Sequence, residues 1–228
     1  MWNKPRCWRA LAALTVCVCV ASACKQEKDP APAADKAPEK PARSIPVPEV
    51  PKIATWELDP ENSSVAFVSM HVHSKVRGMF AQPSGTVLLD EETPARSKVE
   101  AKIDIKLIST GVEERDTHLK GPDFFDAAKF PVATFVSTNV SRSSATAYTV
   151  TGNLSIRGVT KPITLTVKLS PPFNHAGGIR RGAEATASLD RRDFGINWDF
   201  PGEGSGVVVG DNIELTINTE LVLRPASR

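Results

Sequence analysis

His71 and His73 stand one residue apart in a stretch that reads as a strand, so both rings face the same side. A His-x-His pair can supply two zinc ligands, with a third from Asp116 or His118. Nothing in the spacing brings those together, and no cysteine or Glu-rich motif accompanies them. The two are read as hydrogen-bonded core or rim histidines, and no metal is expected. Lys75 and Arg77 continue the same parity. That polar stripe is either a solvated face or a reach toward the polar head of a ligand, and for Arg77 the two readings stand level. Arg115, Asp116 and His118 form a second cluster on a short predicted helix. It is read first as a structural ion pair, with Arg157 or Asp190 as partner, and second as Arg115 or His118 meeting a ligand head. Phe67, Phe80, Phe124, Phe125, Phe130, Phe135 and Phe194 are core candidates. In a hollow barrel core lining and pocket wall are the same surface.

Catalytic signatures are missing from the sequence. There is no Gly-x-Ser-x-Gly turn, no glycine-rich phosphate loop and no dinucleotide fingerprint. The expectation is a binding protein without a cofactor. An enzyme acting on a small lipidic substrate and a ligand-free, stress-related binding module are the alternatives.

The elements that must position these residues are distributed unevenly. All four cysteines, Cys7, Cys17, Cys19 and Cys24, fall in the first 24 of 228 residues, so the rest of the chain has no disulfide or thiolate chemistry. Lys4, Arg6 and Arg9 precede an apolar stretch from Ala10 to Val20, which leads to Ala21-Ser22-Ala23-Cys24. This is the pattern of a secretory signal over 1–23, too short to span a bilayer. Small residues before Cys24 also suit a lipobox, although Ala21 stands where Leu is usual. Cys24 is read as lipidated, anchoring the protein in the cell envelope on the periplasmic side, at the outer membrane. Residues 24–52 follow as a Pro/Ala/Lys-rich disordered tether, with seven prolines in 25–52. Residues 1–52 carry nine basic and five acidic side chains, leaving 19 and 21 in 53–228. A body so balanced has no electrostatic footprint for nucleic acid.

Period-two alternation begins near Thr55. Val99, Ala101, Ile103, Ile105 and Leu107 alternate with charged residues, as do Ile163–Leu169 and Ile213–Leu223 with polar ones. Ile103 and Ile105 should therefore point inward, and Lys102 and Asp104 to solvent. Weaker strands are predicted at Ser64–Val72, Gly85–Leu89, Ala133–Val140, Tyr148–Ile156 and Glu184–Leu189. About eight half-buried antiparallel strands suit a sandwich or a closed barrel. One insertion interrupts them. Thr110-x-x-Glu113 is a capping-box pattern that predicts a helix over Gly111–Lys120, with a second short helix over Asp123–Lys129. Val112, Arg115 or Asp116, and Leu119 should face inward.

A set of strings in order carries a resemblance. These are Trp56-x-Leu58-Asp59-Pro60, Ser64-x-x-Phe67-x-x-x-His71, Lys75-Val76-Arg77-Gly78-x-Phe80, and Thr110-Gly111-x-x-x-Arg115-Asp116-x-His118-Leu119-Lys120. Asp123-Phe124-Phe125-Asp126-x-x-Lys129-Phe130-Pro131, Gly152-Asn153-Leu154-x-Ile156-Arg157-Gly158, Asp190-Arg191-x-Asp193-Phe194-Gly195 and Gly210-Asp211-x-Ile213-x-Leu215 complete it. Across Trp56–Leu223 the chain resembles the YceI-like family of bacterial secreted proteins. The resemblance implies an all-β, eight-stranded antiparallel lipocalin-like barrel over 53–228 with a short helical insertion. It also implies an elongated apolar cavity for an amphiphilic isoprenoid-type lipid, a polyprenyl chain or a quinone. Phe67, His71, Arg77, Phe80, Ile103, Ile105, Arg115, His118, Phe135 and Phe194 are the residues expected to line it. The Gly/Pro-rich segments Pro171–Arg181 and Asp199–Gly206 are expected as loops at the barrel mouth.

Overall fold

The computed structural model describes residues 47–71, 74–175, 177–199 and 209–225. The predicted signal, Cys24 and most of the predicted tether lie outside these residues, as does His73. Among the described residues, no helix is long and apolar enough to cross a membrane.

Alternating side chains and polar turns produce a chain of strands. They are β1 (Ile53–Leu58), β2 (Ser64–His71), β3 (Ser74–Ala81), β4 (Ser84–Asp90), β5 (Lys98–Asp104) and β6 (Ile108–Ser109). The helix α1 (Glu113–Lys120) follows. Then come β7 (Val132–Arg142), β8 (Ala147–Ile156), β9 (Val159–Leu169), β10 (Phe173–His175), β11 (Gly178–Asp190) and β12 (Val209–Leu223). All pairings are antiparallel. β1 with β2, β3 with β4, and β5 with β6 are broken halves of three long strands, so the ring counts eight. Closure comes from β12. Its residues Asn212–Val222 run beside β11, while its other edge takes β2 from His71 to Ser64 and then β1 through Leu221–Leu223. Among the described residues the closed ring leaves only the short β6 and β10 with a free ladder edge.

β1, β6 and β10 are strands beyond those predicted, and β3 is a strand of its own where Lys75 and Arg77 were read as continuing that of His71. The Pro171–Arg181 segment is no loop at a mouth: β10 pairs with the start of β11, Phe173 opposite Arg180 and His175 opposite Gly178. That hairpin extends the barrel at the end remote from α1. Asp199 is the described part of the second expected loop.

Two departures from the predicted helices have local causes. The Thr110 hydroxyl does not cap a helix. It donates to Asp116 Oδ1 at 2.5 Å, α1 starts at Glu113, and its N-cap, Val112, makes no side-chain cap bond. The second predicted helix is instead a run of turns over 122–129, because Asp126 takes φ +48° and ends any helical ladder. The alternation of β5 also ends earlier than expected. A 3₁₀ turn at Ile105–Leu107 rotates the chain, leaving Leu107 exposed and burying Ile108.

Inward side chains form two clusters. One contains Trp56, Leu58, Leu89, Phe135, Tyr148, Val150, Leu165 and Leu221 and fills the end of the barrel where β1 begins. Val50, just before β1, packs against it. The other, with Val65, Phe80, Ile105, Ile108 and Ala133, lies toward α1.

Candidate functional site

The second cluster surrounds a void. A cavity of about 650 Å³ occupies the α1 half of the barrel. Its walls come from alternate positions of facing strands: Val65 and Phe67 on β2, Phe80 on β3, Ile103 on β5, Ala133 on β7, and Ile213 and Leu215 on β12. Ile105 joins them from the 3₁₀ turn, buried at 2% exposure. Leu154 on β8 and Phe194, in the 3₁₀ turn Arg191–Phe194 after β11, line it where it meets the filled half. Leu119, Phe124, Phe125 and Trp198 cover it from the α1 side.

The aromatic wall is laid flat by a glycine. Phe67 pairs across the sheet with Gly78. A Cβ at Gly78 would lie 2.3 Å from Phe67 Cζ, so only a glycine lets the ring lie against the strand rather than cross the void. Phe80 stands 5.6 Å from Phe67 and 5.6 Å, edge-on, from Phe125, giving the wall a continuous aromatic face.

Polar groups gather at one end. Ser69 and His71 sit on the last turns of β2, and Glu114, Arg115 and His118 come from α1. Arg115 donates from Nε to Thr110 Oγ1 at 2.7 Å and from Nη2 to the Thr110 carbonyl at 3.0 Å. Asp116 in turn accepts from Thr110 N at 2.8 Å. Thr110 is thus the partner of this pair. Arg157 instead donates to the carbonyls of Gly195 and Pro122, and Asp190 accepts from Arg192 N. His118 Nε2 lies 3.1 Å from Asp123 Oδ2, and its ring stands edge-on to both Phe124 and Trp198 at 5.0 Å.

Arg191, with Ser69 and Glu114, is a polar cavity residue that the sequence reading passed over. It is 4% exposed, and a buried guanidinium must be fully hydrogen-bonded. Nη1 donates to the carbonyls of Ile196 and Trp198 at 2.8 and 2.9 Å, and Nη2 to Asp199 Oδ1 at 3.0 Å. Asp211 Oδ1 lies 2.9 Å from Nη2. Arg192 bonds the same two carboxylates, Asp211 at 2.7 Å and Asp199 at 3.0 Å. Hydrogen bonds from Arg192 and then Arg191 hold the Asp199 carboxyl below its ordinary range. The signal was available: Arg191 stands in the Asp190–Gly195 string, beside Phe194.

Of the residues expected to line a cavity, Phe67, His71, Phe80, Ile103, Ile105, Arg115, His118 and Phe194 do so. Arg77 does not. It is exposed on β3, on the opposite parity from Val76, Gly78 and Phe80, so its side chain leaves the barrel. Phe135 does not either. It points inward but belongs to the filled half, its ring seated over Gly152. Among the described residues, no three histidine, cysteine or acidic side chains come together as metal ligands. Among the same residues no hydrogen bond joins a serine hydroxyl to a histidine ring.

A closed eight-stranded antiparallel barrel with one filled and one hollow half is a lipocalin-like calyx. The YceI-like domain family matches residues 56–221, and the chain belongs to that family. A UPF0312 protein of Yersinia enterocolitica is 39% identical over 152 residues, 64% of this chain and 78% of that one. Among solved structures, BcnA of Burkholderia cenocepacia superposes with a TM-score of 0.63 at 26% identity, covering 72% of this chain and 98% of that one. A YCEI protein of Campylobacter jejuni gives 0.57 at 28% identity, covering 67% and 87%. A polyisoprenoid binding domain from Saccharophagus degradans, implicated in plant cell wall breakdown, shares the fold with a TM-score of 0.54 at 19% identity, covering 75% and 99%.

Proposed function

We propose that the protein is a cell-envelope lipid-binding protein that holds an amphiphilic isoprenoid-type molecule, a polyprenyl chain or a quinone, in the hollow half of the barrel. The observation that carries this reading is the cavity of about 650 Å³, walled by Val, Ile, Leu, Phe and Ala side chains with polar groups confined to one end. An apolar tail entering it leaves water at a gain of roughly 25 cal/mol per Å² buried, while the polar end receives the head. His71, Arg115 and His118 are the groups placed to meet that head. The same fold houses a polyisoprenoid binding domain in Saccharophagus degradans, which supports the ligand class. The role is binding and carriage, without a chemical step. Lipidation of Cys24, with the Pro-rich 24–52 as spacer, would keep the carrier at the periplasmic face of the outer membrane.

Organic extraction of the purified protein followed by mass spectrometry tests the ligand class, with uptake of added prenols as the second arm. A co-purifying prenyl lipid or saturable uptake is expected. Repeated absence of both overturns the reading. For the anchor, Cys24→Ala should move the protein from the membrane fraction to the soluble fraction with an unchanged melting temperature. A wild-type chain that is already soluble and begins at Cys24 with a free thiol defeats the lipoprotein reading.

A further inference from the structure

We infer that Leu154 and Phe194 act as the stop of a ruler: they set the longest apolar tail the barrel accepts. This rests on the isoprenoid reading above and adds a length limit to it. The two side chains are 6% and 1% exposed, and they are the buried residues shared by the filled core and the cavity wall. A tail that enters at the polar end and follows the β8 wall past Ile156 meets Leu154 where the cavity borders the filled core.

What lies behind them is solid. Leu154 pairs with Phe135 across β7 and β8, and Gly152 is the next inward position of β8. A Cβ on Gly152 would meet Phe135 Cζ at 2.4 Å and the Val136 carbonyl oxygen at 2.6 Å, so the Phe135 ring fills the space over that glycine. Tyr148, Val150 and Trp56, all buried, continue the core beyond. Close-packed interiors do not open for a methylene, so a tail that reaches Leu154 stops there.

A ruler leaves a signature in a homologous series. Each isoprene unit that enters buries its apolar surface and should tighten binding roughly tenfold or more. Units beyond the stop remain in water and add little. Affinity plotted against tail length therefore rises and then breaks. Leu154→Ala removes the stop on the β8 side and opens space toward Phe135, which moves the break to longer tails. Ala133→Phe places a ring in the cavity from the β7 wall, which moves it to shorter ones.

The experiment is titration of the wild-type protein and both variants with all-trans prenols lengthened one isoprene unit at a time, with thermal melts to establish folding. The expected result is a break in the wild-type series, displaced upward in Leu154→Ala and downward in Ala133→Phe. If Leu154→Ala does not fold, the direction of the Ala133→Phe shift decides. A break at the same length in every folded variant, or affinity that climbs without a break, overturns the ruler while leaving the isoprenoid reading intact. Failure of the wild type to bind any prenol overturns both.

Discussion

The two halves of this barrel share strands and an inward parity, yet one is full and the other empty. In the filled half Trp56, Phe135 and Tyr148 project toward one another and leave no room; Trp56 is completely buried. Its rim is tied by ion pairs. Arg180 Nη1 reaches Asp59 at 2.6 Å and also Glu220, and Arg181 bridges Glu91 at 3.2 Å while lying over the Trp56 ring. In the hollow half the inward positions are smaller, Val65, Ala133 and Ile213, or they are rings pressed to the wall, as Phe67 is against Gly78. α1 and the aromatic turn after it roof the space without entering it. Side-chain volume at a few inward positions decides whether an eight-stranded ring is a core or a container, because such a ring is only just wide enough for side chains to fill.

Substitutions in the filled half should act on stability. Trp56→Ala should cost about 3–5 kcal/mol, read by urea unfolding, because the void it leaves cannot collapse. A cost under 1 kcal/mol would show that this half is not close-packed. One added ring then separates the halves. Leu165→Phe overpacks the filled half and should cost about 1–3 kcal/mol. Ile105→Phe, at a cavity wall, should leave the melting temperature nearly unchanged and lower prenol uptake. Equal destabilisation by the two would remove the distinction between the halves.

A subtler change tests why the void persists. Gly78→Ala drives the tip of the Phe67 ring off the β3 backbone and into the cavity. Uptake should fall several-fold, with a stability change within about 1 kcal/mol. Unaltered uptake would mean that Phe67 finds another rotamer along the wall.

The smallest effect expected is that of acid. Hydrogen bonds from Arg180 and Asn62 hold Asp59 below its ordinary range at the filled end, as Arg192 and Arg191 do for Asp199 at the cavity end. A depressed folded-state pKa gives stability that is complete above the ordinary carboxylate value, about 3.9, and is lost as pH falls through the depressed one. The melting temperature should therefore hold between neutral pH and pH about 5 and decline only below about 4. Asp59→Asn should blunt the acid decline of stability, and Asp199→Asn that of prenol uptake. A transition centred near pH 6 would point to other groups.

Much of the wall was legible in the sequence. Ile103, Ile213 and Leu215 follow from period two alone, since a strand sends alternate side chains to one face whatever its neighbours. Phe67 and Phe194 stood in the strings that carry the family resemblance. Local geometry defeated the reading at Thr110, whose hydroxyl met Asp116 instead of a helix end. It did so again at Asp126, where one positive φ replaced a helix with turns. Arg77 was misplaced by assuming that the β2 parity of His71 carries on into β3.

Residue order alone specified most of the strands, most of their inward faces and the family, because these depend on spans of a few residues. Tertiary structure decided what the inward faces enclose. Phe67 and Phe135 are the same residue on the same kind of strand, and each rests on a glycine across the sheet. Phe135 closes with Trp56, Tyr148 and Leu165 into solid packing, whereas Phe67 faces a void. That outcome is fixed by which residues, far apart in the chain, meet across the closed ring, a sum of volumes that no local pattern contains.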